Sequence, residues 1–337
     1  MVGIMQYILA GGVTFFFVVG LIPCIIALAQ RFSILDIPDG KIKCHQKAVP
    51  YLGGIALGFG FFISSFIFSS YSWSWALVMG GLSILLIIGL IDDLICLTPR
   101  QKFLWQGLAV FLFLMSGAFF VLTIPHWLAL IFSGFWIFSI INACNLVDVM
   151  DGLLSVIACS AAVSFFYFAY NMGMHDLCFL LAIFIGACCG FFVFNAPPAK
   201  IYLGDAGSLF IGGFLSIIPL FIAKIAPLFY TLPCAHYILG FPYVFMVILA
   251  VPSLEIFSLI IIRSYLGIPF YRGSPHHFSI FLQKKGWTRW GVLAFTTAIA
   301  LLFSLVSIGH ACGFLSCALF LGFLSMLIVL WGLIVFR

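Results

Sequence analysis

Carboxylates are scarce in this chain and stand mostly in a few short motifs. The 337 residues include nine acidic side chains, which are Asp36, Asp39, Asp92, Asp93, Asp148, Asp151, Asp176, Asp205 and Glu255. A carboxylate at the centre of a membrane helix costs about 2.5 to 3.5 kcal/mol on insertion scales. Because the segments around them are strongly apolar, these acids predict metal binding or acid-base chemistry.

Asp92 and Asp93 are adjacent, at the end of an apolar run in GLIDDLICLTPRQK. Neighbouring carboxylates repel each other unless a cation lies beside them. Mg2+ favours oxygen ligands from one or two carboxylates, completed by substrate phosphates. The pair therefore predicts a divalent metal, and the alternative is a polar helix end balanced by Arg100 and Lys102.

A second motif repeats polar groups at every third position, at Asn142, Asn145, Asp148 and Asp151. Residues three apart are neighbours on a helix surface, so these side chains share one seam. Unpaired polar groups near lipid lose their hydrogen bonds with water. The seam therefore predicts a binding role.

A third motif runs from Asn195 through Gly204 and Asp205 to Ser208. Gly204 and Gly207 allow the backbone to approach a ligand closely, and a following helix N-terminus favours phosphate. The Asp205 carboxylate could instead cap that helix. Metal binding and helix capping by Asp205 therefore remain alternatives.

Two further motifs carry cations. Near the C-terminus, Arg263, Arg272, His276 and His277 suit an anionic, phosphate-bearing ligand. Zinc lacks a third soft ligand at a suitable spacing there. The segment after Asp36 holds a second group of cations and a histidine, which are Lys41, Lys43, His45 and Lys47. These suit phosphate or an anionic lipid headgroup, although a cytoplasmic membrane anchor would have the same composition.

The elements that position these motifs are membrane helices. The chain is 65% apolar and 7% charged, which excludes a soluble globular domain. A spanning helix needs roughly 20 apolar residues. We predict an all-α bundle forming a single domain over residues 1–337. Its eleven predicted spans are 4–29, 51–70, 75–91, 103–123, 126–144, 154–171, 177–194, 208–223, 237–262, 290–309 and 313–334.

Loop charge predicts the orientation, because Lys and Arg accumulate on the cytoplasmic side. Eleven spans place one set of loops on a single face with Arg337, and 13 of the 14 basic residues lie there. These loops are 30–50, 92–102, 145–153, 195–207 and 263–289. The N-terminus is therefore predicted outside and the C-terminus inside. The 11 cysteines include no CxxC pair, so we expect no disulfide framework.

Five motifs in order give the chain a family resemblance from Asp36 to Trp287. They are DIPDGKIKCHQKAVPYLGG, IDDL, NACNLVDVMDGLL, FNAPPAKIYLGDAGSLFIGG and RGSPHHFSIFLQKKGW. In this order they resemble the polyprenyl-phosphate N-acetylhexosamine-1-phosphate transferase superfamily (glycosyltransferase family 4 type).

Within that superfamily, NAPPAKIYLGDAGS and H-x-K-x-V-P-x-L-G-G look like the undecaprenyl-phosphate GlcNAc-1-phosphate transferase branch. That branch starts O-antigen, enterobacterial common antigen or teichoic acid linkage units. The phospho-N-acetylmuramoyl-pentapeptide transferase branch usually has three successive histidines, whereas this chain has only His276 and His277.

The resemblance implies transfer of N-acetylhexosamine 1-phosphate, expected to be GlcNAc 1-phosphate, from a UDP-sugar to undecaprenyl phosphate, with release of UMP. It implies Mg2+, or Mn2+ in its place, held by catalytic Asp92, Asp93 and Asp205. The implied nucleotide-sugar contacts are Asn145, Asp148, Asp151, Asn195, Arg263, Arg272, His276 and His277. Lys41, His45 and Lys47 are implied to contact the lipid phosphate or the diphosphate.

The implied setting is the bacterial cytoplasmic membrane, with the site on the cytoplasmic face. A homodimer is a further expectation, and nucleic acid is not an expected partner. Transfer of phospho-N-acetylmuramoyl-pentapeptide is the alternative reaction. An ion-coupled transporter is the rival from another class, but its acids would interrupt helices near the membrane midplane.

Overall fold

The computed structural model describes residues 3–36, 48–70, 72–121, 124–226, 242–269 and 274–335. Within these ranges the chain is almost entirely helical, and nine helices are long and apolar enough to cross a membrane. This confirms the predicted fold class, a polytopic membrane helix bundle.

The helices are α1 Ile4–Arg31, α2 Gly53–Phe68, α3 Trp73–Ile95, α4 Pro99–Met115, α5 His126–Val147, α6 Leu153–Asn171, α7 His175–Asn195, α8 Gly204–Ile225, α9 Pro242–Met246, α10 Ala250–Tyr265, α11 Phe278–Lys284, α12 Arg289–Ala311 and α13 Cys317–Val335. A 3-10 turn, Val247–Leu249, joins α9 to α10. Two short strands, β1 Leu35–Asp36 and β2 Val49–Pro50, pair antiparallel.

Each predicted span corresponds to a helical segment, but the α4 bounds were wrong. We predicted 103–123, and α4 runs from Pro99 to Met115. The helix starts early because Thr98 and Gln101 form a capping box ahead of the polar first turn. It ends before Gly117, whose φ of 93° lies in the left-handed region. With 17 and 16 residues, α4 and α2 are shorter than the nine helical segments that are long and apolar enough to cross a membrane.

Helix α8 lies at the centre of the bundle and packs against α2, α3, α5 and α6. Nearly all of its side chains from Ala206 to Ala223 are buried. The contact with α3 depends on Gly89, where a Cβ atom would lie 2.4 Å from the carbonyl oxygen of Asp205. A residue without a side chain therefore allows α3 to touch the start of α8 directly.

Helix directions alternate, so the motif-bearing ends meet at one end of the bundle. The C-terminal ends of α3 and α5 lie there with the N-terminal ends of α4 and α8. At the other end, Asp176 accepts a hydrogen bond from Ser70 and the Tyr7 hydroxyl contacts His175. Asp176 is thus remote from the carboxylates of the motifs.

One cysteine departs from the expectation that no disulfide forms. Cys317, which begins α13, is disulfide-bonded. Eight other cysteines in the described part of the chain are free. Cys317 lies at the same end of the bundle as the last turn of α12, opposite to the motifs. The scattered spacing of the cysteines along the chain did not predict this bond, because only folding brings two distant cysteines together.

Candidate active site

A lysine lies between two of the predicted metal-binding carboxylates. The Lys102 ammonium is 2.8 Å from Oδ2 of Asp92 and also contacts Oδ2 of Asp205. The Lys102 side chain is 16% exposed, so water screens this triad only weakly. The sequence pointed to Lys102 only as a charge balancing a helix end, since its contact with Asp205 spans 103 residues.

The turn between α3 and α4 holds Asp92 in place. Its Oδ1 accepts the backbone N–H of Leu97 at 2.7 Å. Cys96 adopts a left-handed conformation with φ of 50° and ends α3, and Thr98 then begins α4. This tight turn brings Lys102, in the first turns of α4, back to Asp92.

Asp93 faces the start of α8. Its Oδ1 accepts the N–H of Asp205 at 2.8 Å and its Oδ2 accepts the N–H of Ala206 at 3.1 Å. Gly204 has φ of 73°, and a Cβ there would come 2.5 Å from Oδ2 of Asp93. A carboxylate at a helix N-terminus satisfies otherwise unpaired N–H groups and complements the helix dipole. Asp93 therefore caps α8, and its metal role stays a prediction.

The Asp205 side chain does not cap α8, so the capping alternative is wrong and its metal role stays a prediction. Its Oδ1 accepts a hydrogen bond from Nδ2 of Asn145 at 2.8 Å, and its Oδ2 faces Lys102. Asn145 also donates to the Ser208 hydroxyl at 2.8 Å. The predicted polar seam of α5 thus meets α8 through Asn145.

Asp148 immediately follows α5 and is half-buried. Removal from water, together with the negative charges of Asp205, Asp93 and Asp151, raises the pKa of Asp148 to about 8. Carboxylates are therefore crowded at this end of the bundle. A bound cation would relieve their repulsion.

Asp151 and Asn195 connect the α5–α6 turn to its neighbours. Asp151, 7% exposed, contacts Nη1 of Arg289 at 2.5 Å and accepts the N–H of Ala199 at 3.1 Å. Asn195 accepts the N–H of Gly152 at 2.8 Å and donates to the carbonyl of Ile201 at 2.9 Å. These contacts order the turn, and nucleotide-sugar binding by either residue stays a prediction. The sequence did not single out Arg289.

Residues 274–277, which lead into α11, run back alongside α10 and are called the returning segment below. Nε of Arg263 donates to the Ser274 hydroxyl at 3.0 Å, and Nδ1 of His277 lies 3.0 Å from Oε1 of Glu255. His276 is half-buried beside them. Donor binding by Arg263, His276 and His277 stays a prediction. The predicted contacts Arg272, Lys41, His45 and Lys47 lie outside the described residues.

Magnesium fits this site if the protein supplies some of its ligands and the substrate phosphates supply the rest. Across the described residues, no group of three or more His, Cys, Asp or Glu side chains could hold a metal. Asp92 and Asp205 do share one cation, the Lys102 ammonium. Two carboxylates completed by substrate phosphates suit Mg2+, whereas a zinc site would need more protein ligands.

An apolar cavity of about 600 Å³ lies between α5 and the α9–α10 segment. Its lining includes Phe135, Trp136, Ile140, Met246, Leu254 and Phe257. Such a surface fits hydrocarbon rather than a polar ligand.

Comparison with known proteins gives the family. Residues 75–223 match the profile of Glycosyl transferase family 4. The chain is 30% identical to a phospho-N-acetylmuramoyl-pentapeptide-transferase of Streptococcus agalactiae serotype Ia, over 89% of this chain and 97% of the relative. Enzymes of the same name in Streptococcus pneumoniae and Streptococcus uberis are 29% and 30% identical, covering 89% and 80% of this chain and 96% and 87% of the relatives.

The matched region contains α3 to α8, and so includes the Asp92–Lys102–Asp205 triad and the polar seam of α5. Similarity also extends over most of the chain and most of each relative. The resemblance read from the five motifs is therefore confirmed at the level of the superfamily. The chain belongs to glycosyl transferase family 4.

Proposed function

We propose that the protein transfers N-acetylhexosamine 1-phosphate from a UDP-sugar to undecaprenyl phosphate, releasing UMP. The observation that carries this proposal is the Asp92–Lys102–Asp205 triad at one end of a membrane helix bundle. There a diphosphate from the aqueous side can meet a phosphate whose hydrocarbon chain stays in lipid.

In this reaction an oxygen of the lipid phosphate attacks the β-phosphorus of the donor. A new P–O bond forms, and the bond between the β-phosphorus and the bridging oxygen breaks, so that UMP leaves. Phosphoryl transfer depends mainly on positioning and neutralisation of charge. A phosphate monoester has a second pKa of about 6, so at neutral pH the acceptor needs little help from a base.

The side chains of the triad have distinct roles in this proposal. Asp92 and Asp205 would hold Mg2+, which when bound supplies charge neutralisation at the phosphates. Lys102 supplies a second cation close to the same phosphates. Direct displacement is favoured over a phospho-aspartate intermediate, because Asp92 already accepts hydrogen bonds on both oxygens and Asp93 caps α8.

The cavity between α5 and α10 supports the lipid half of the proposal. It is lined mainly by aromatic and aliphatic side chains. The α5 wall of this groove runs from Phe132 to Ile140, and the same helix continues from there to Asn145 and the Asp148 that follows it. We infer that the polyprenyl chain lies in this groove with its phosphate directed to the triad.

Two donors are candidates. The NAPPAKIYLGDAGS and H-x-K-x-V-P-x-L-G-G motifs favour UDP-GlcNAc, and the names of the relatives favour UDP-N-acetylmuramoyl-pentapeptide. The NAPPAKIYLGDAGS motif contains Asp205, so UDP-GlcNAc is the first donor to test and the muramoyl-pentapeptide donor is the second.

For the setting, we propose the bacterial cytoplasmic membrane with the triad on the cytoplasmic face. The concentration of Lys and Arg in the loops of that face supports this orientation. The Cys317 disulfide, at the opposite end, also supports it, because disulfides persist in oxidising compartments.

The test uses purified protein in lipid nanodiscs with undecaprenyl phosphate, Mg2+ and a panel of UDP-sugars. We expect UMP release that requires the lipid phosphate and Mg2+, together with a lipid-linked sugar product. Flux of a substrate across vesicles without UMP release would instead favour a transporter. Release that persists in chelator would remove the metal from the proposal.

A further inference from the structure

Glu255 is a buried acid near the middle of the α9–α10 segment, outside the five sequence motifs. It is 1% exposed. Its Oε1 lies 3.0 Å from Nδ1 of His277 and accepts the N–H of Phe278 at 3.4 Å, while its buried Oε2 makes no hydrogen bond. A buried carboxylate is costly unless a partner stabilises it. Its hydrogen-bonding partner here is the His277 imidazole, and the positive charge of Arg263 also interacts with it.

The Glu255–His277 contact determines which ring nitrogen carries a proton. An ionised carboxylate only accepts hydrogen bonds, so Nδ1 of His277 must donate. The remaining nitrogen, Nε2, is then the atom that can contact a ligand. A carboxylate in this arrangement fixes the tautomer and direction of an imidazole.

Two contacts keep the returning segment in register with α10. His277 is held at Glu255, and Ser274 is held at Arg263. Glu255 and Arg263 are eight residues apart, which is about 12 Å along a helix. The segment therefore runs antiparallel to α10 and cannot slide without breaking both contacts.

The same segment lies beside the α5–α6 turn. Nε2 of Gln283 contacts Sδ of Met150 at 3.2 Å, and Phe278 shares an apolar cluster with Val147 and Met150. Met150 stands between Asp148 and Asp151 in the chain. The returning segment is thus held next to the crowded carboxylates of the site.

We propose that Glu255 is a positioning residue that holds His277 with Nδ1 protonated, so that the unprotonated Nε2 accepts a hydrogen bond from a hydroxyl or amide group of the nucleotide-sugar donor. This inference rests on the proposed transfer reaction. Glu255 itself touches neither substrate, and it acts through the imidazole.

The first experiment observes the tautomer directly and does not depend on activity. The full-length protein in detergent, with 15N-labelled histidine, is examined by long-range 1H–15N NMR, and His277 is assigned from the His277→Gln spectrum. We expect an Nδ1-protonated ring in the wild type and in Glu255→Gln, whose amide oxygen can still accept. Glu255→Ala should shift the ring towards the Nε2-protonated form. An unchanged tautomer in Glu255→Ala would overturn the proposal.

The second experiment is a double-mutant cycle on UMP release. Loss of a supporting carboxylate should lower kcat about 10- to 100-fold in Glu255→Ala. The Glu255→Ala, His277→Ala double variant should match His277→Ala within about twofold, because coupled residues do not contribute independently. Multiplicative losses would show that Glu255 acts apart from His277 and would overturn the proposal.

Glu255→Gln keeps the experiment decisive if Glu255→Ala does not fold. It preserves shape and an acceptor for the Nδ1 proton, so kcat and the melting temperature should both stay close to those of the wild type. A loss of kcat as large as that of His277→Ala in this variant would overturn the proposal. Asp176→Asn, at the opposite end of the bundle, is the matched control and should match the wild type.

Wild-type protein that releases no UMP would refute the proposed reaction, and the NMR result would still decide whether Glu255 positions His277.

Discussion

The Asp93 carboxylate accepts the backbone N–H of Asp205 at 2.8 Å, so one acid of the motifs positions the helix that carries another. Its second oxygen accepts the N–H of Ala206. Asp92, its neighbour in the chain, faces Lys102 instead. The adjacent acids of the IDDL motif therefore have different structural environments, and their variants should behave differently.

Asp93→Asn should reduce stability. An amide can accept only through its oxygen, so one N–H at the start of α8 would face an NH2 group. Loss of a helix cap costs roughly 0.5 to 2 kcal/mol. The melting temperature in detergent should fall, and transfer should be lost as Asp205 shifts. Asp92→Asn is the comparison and should lose Mg2+-dependent activity with a smaller change in melting. Equal melting of the two variants would contradict the assigned cap.

Lys102→Gln should make the fold more dependent on magnesium. Without the ammonium, Asp92 and Asp205 repel each other until another cation binds. We expect the variant to melt lower than the wild type without metal and to gain more stability from MgCl2. UMP release should fall by about two orders of magnitude, as for removal of a charge-stabilising donor.

The control is Arg100→Gln, which changes an exposed residue in the first turn of α4 and should show neither effect. A magnesium response equal to that of the wild type would argue against a shared cation site.

Gly89→Ala should disturb the contact between α3 and α8. The added Cβ would lie 2.4 Å from the Asp205 carbonyl oxygen, and backbone on both sides leaves little room for adjustment. Overpacking of this kind costs about 1 to 3 kcal/mol. Both melting temperature and kcat should fall. Gly107→Ala, in α4 with nothing within 4 Å of the added atom, should be neutral. If both glycine variants keep wild-type activity, the close approach at Gly89 is not required.

Apparent Mg2+ affinity should rise with pH through the range in which Asp148 titrates. The pKa of Asp148 is raised to about 8 by removal from water and by neighbouring carboxylates, so near pH 7 the group is mostly protonated. A nearby cation favours the ionised form, and binding must therefore release a proton below pH 8. Magnesium titrations of UMP release between pH 6.5 and 9 should show affinity increasing up to about pH 8 and then levelling off. In Asp148→Asn the rise of apparent Mg2+ affinity with pH should disappear. If the rise persists in this variant, another group is responsible for the titration.

Much of the bundle could be predicted from sequence because lipid imposes simple rules on length and charge. The eleven apolar segments, and the convergence of Asp92, Asn145, Asp148 and Asp205 at one end, followed from span length and alternating direction. Nothing local, however, distinguishes the environment of Asp92 from that of Asp93. Side-chain direction at a helix end depends on which helix packs beside it.

Long-range pairs could not be predicted for the same reason. Arg289 meets Asp151 across 138 residues, and His277 meets Glu255 across 22. Glu255 lies in the middle of an apolar run, where sequence alone gave it no partner. Its contact with His277 depends on the return of residues 274–277 along α10, which no local pattern predicts.

The Lys102 contacts also have a consequence for biogenesis. Asp92 and Lys102 are ten residues apart on consecutive helices, so they meet as soon as the α3–α4 hairpin has formed during synthesis. Asp205 emerges about a hundred residues later and completes the triad when α8 packs against the hairpin. Asp92 is therefore paired with a cation of its own chain before α8 has been made. The growing protein does not have to recruit a free metal ion before its central helix has been made.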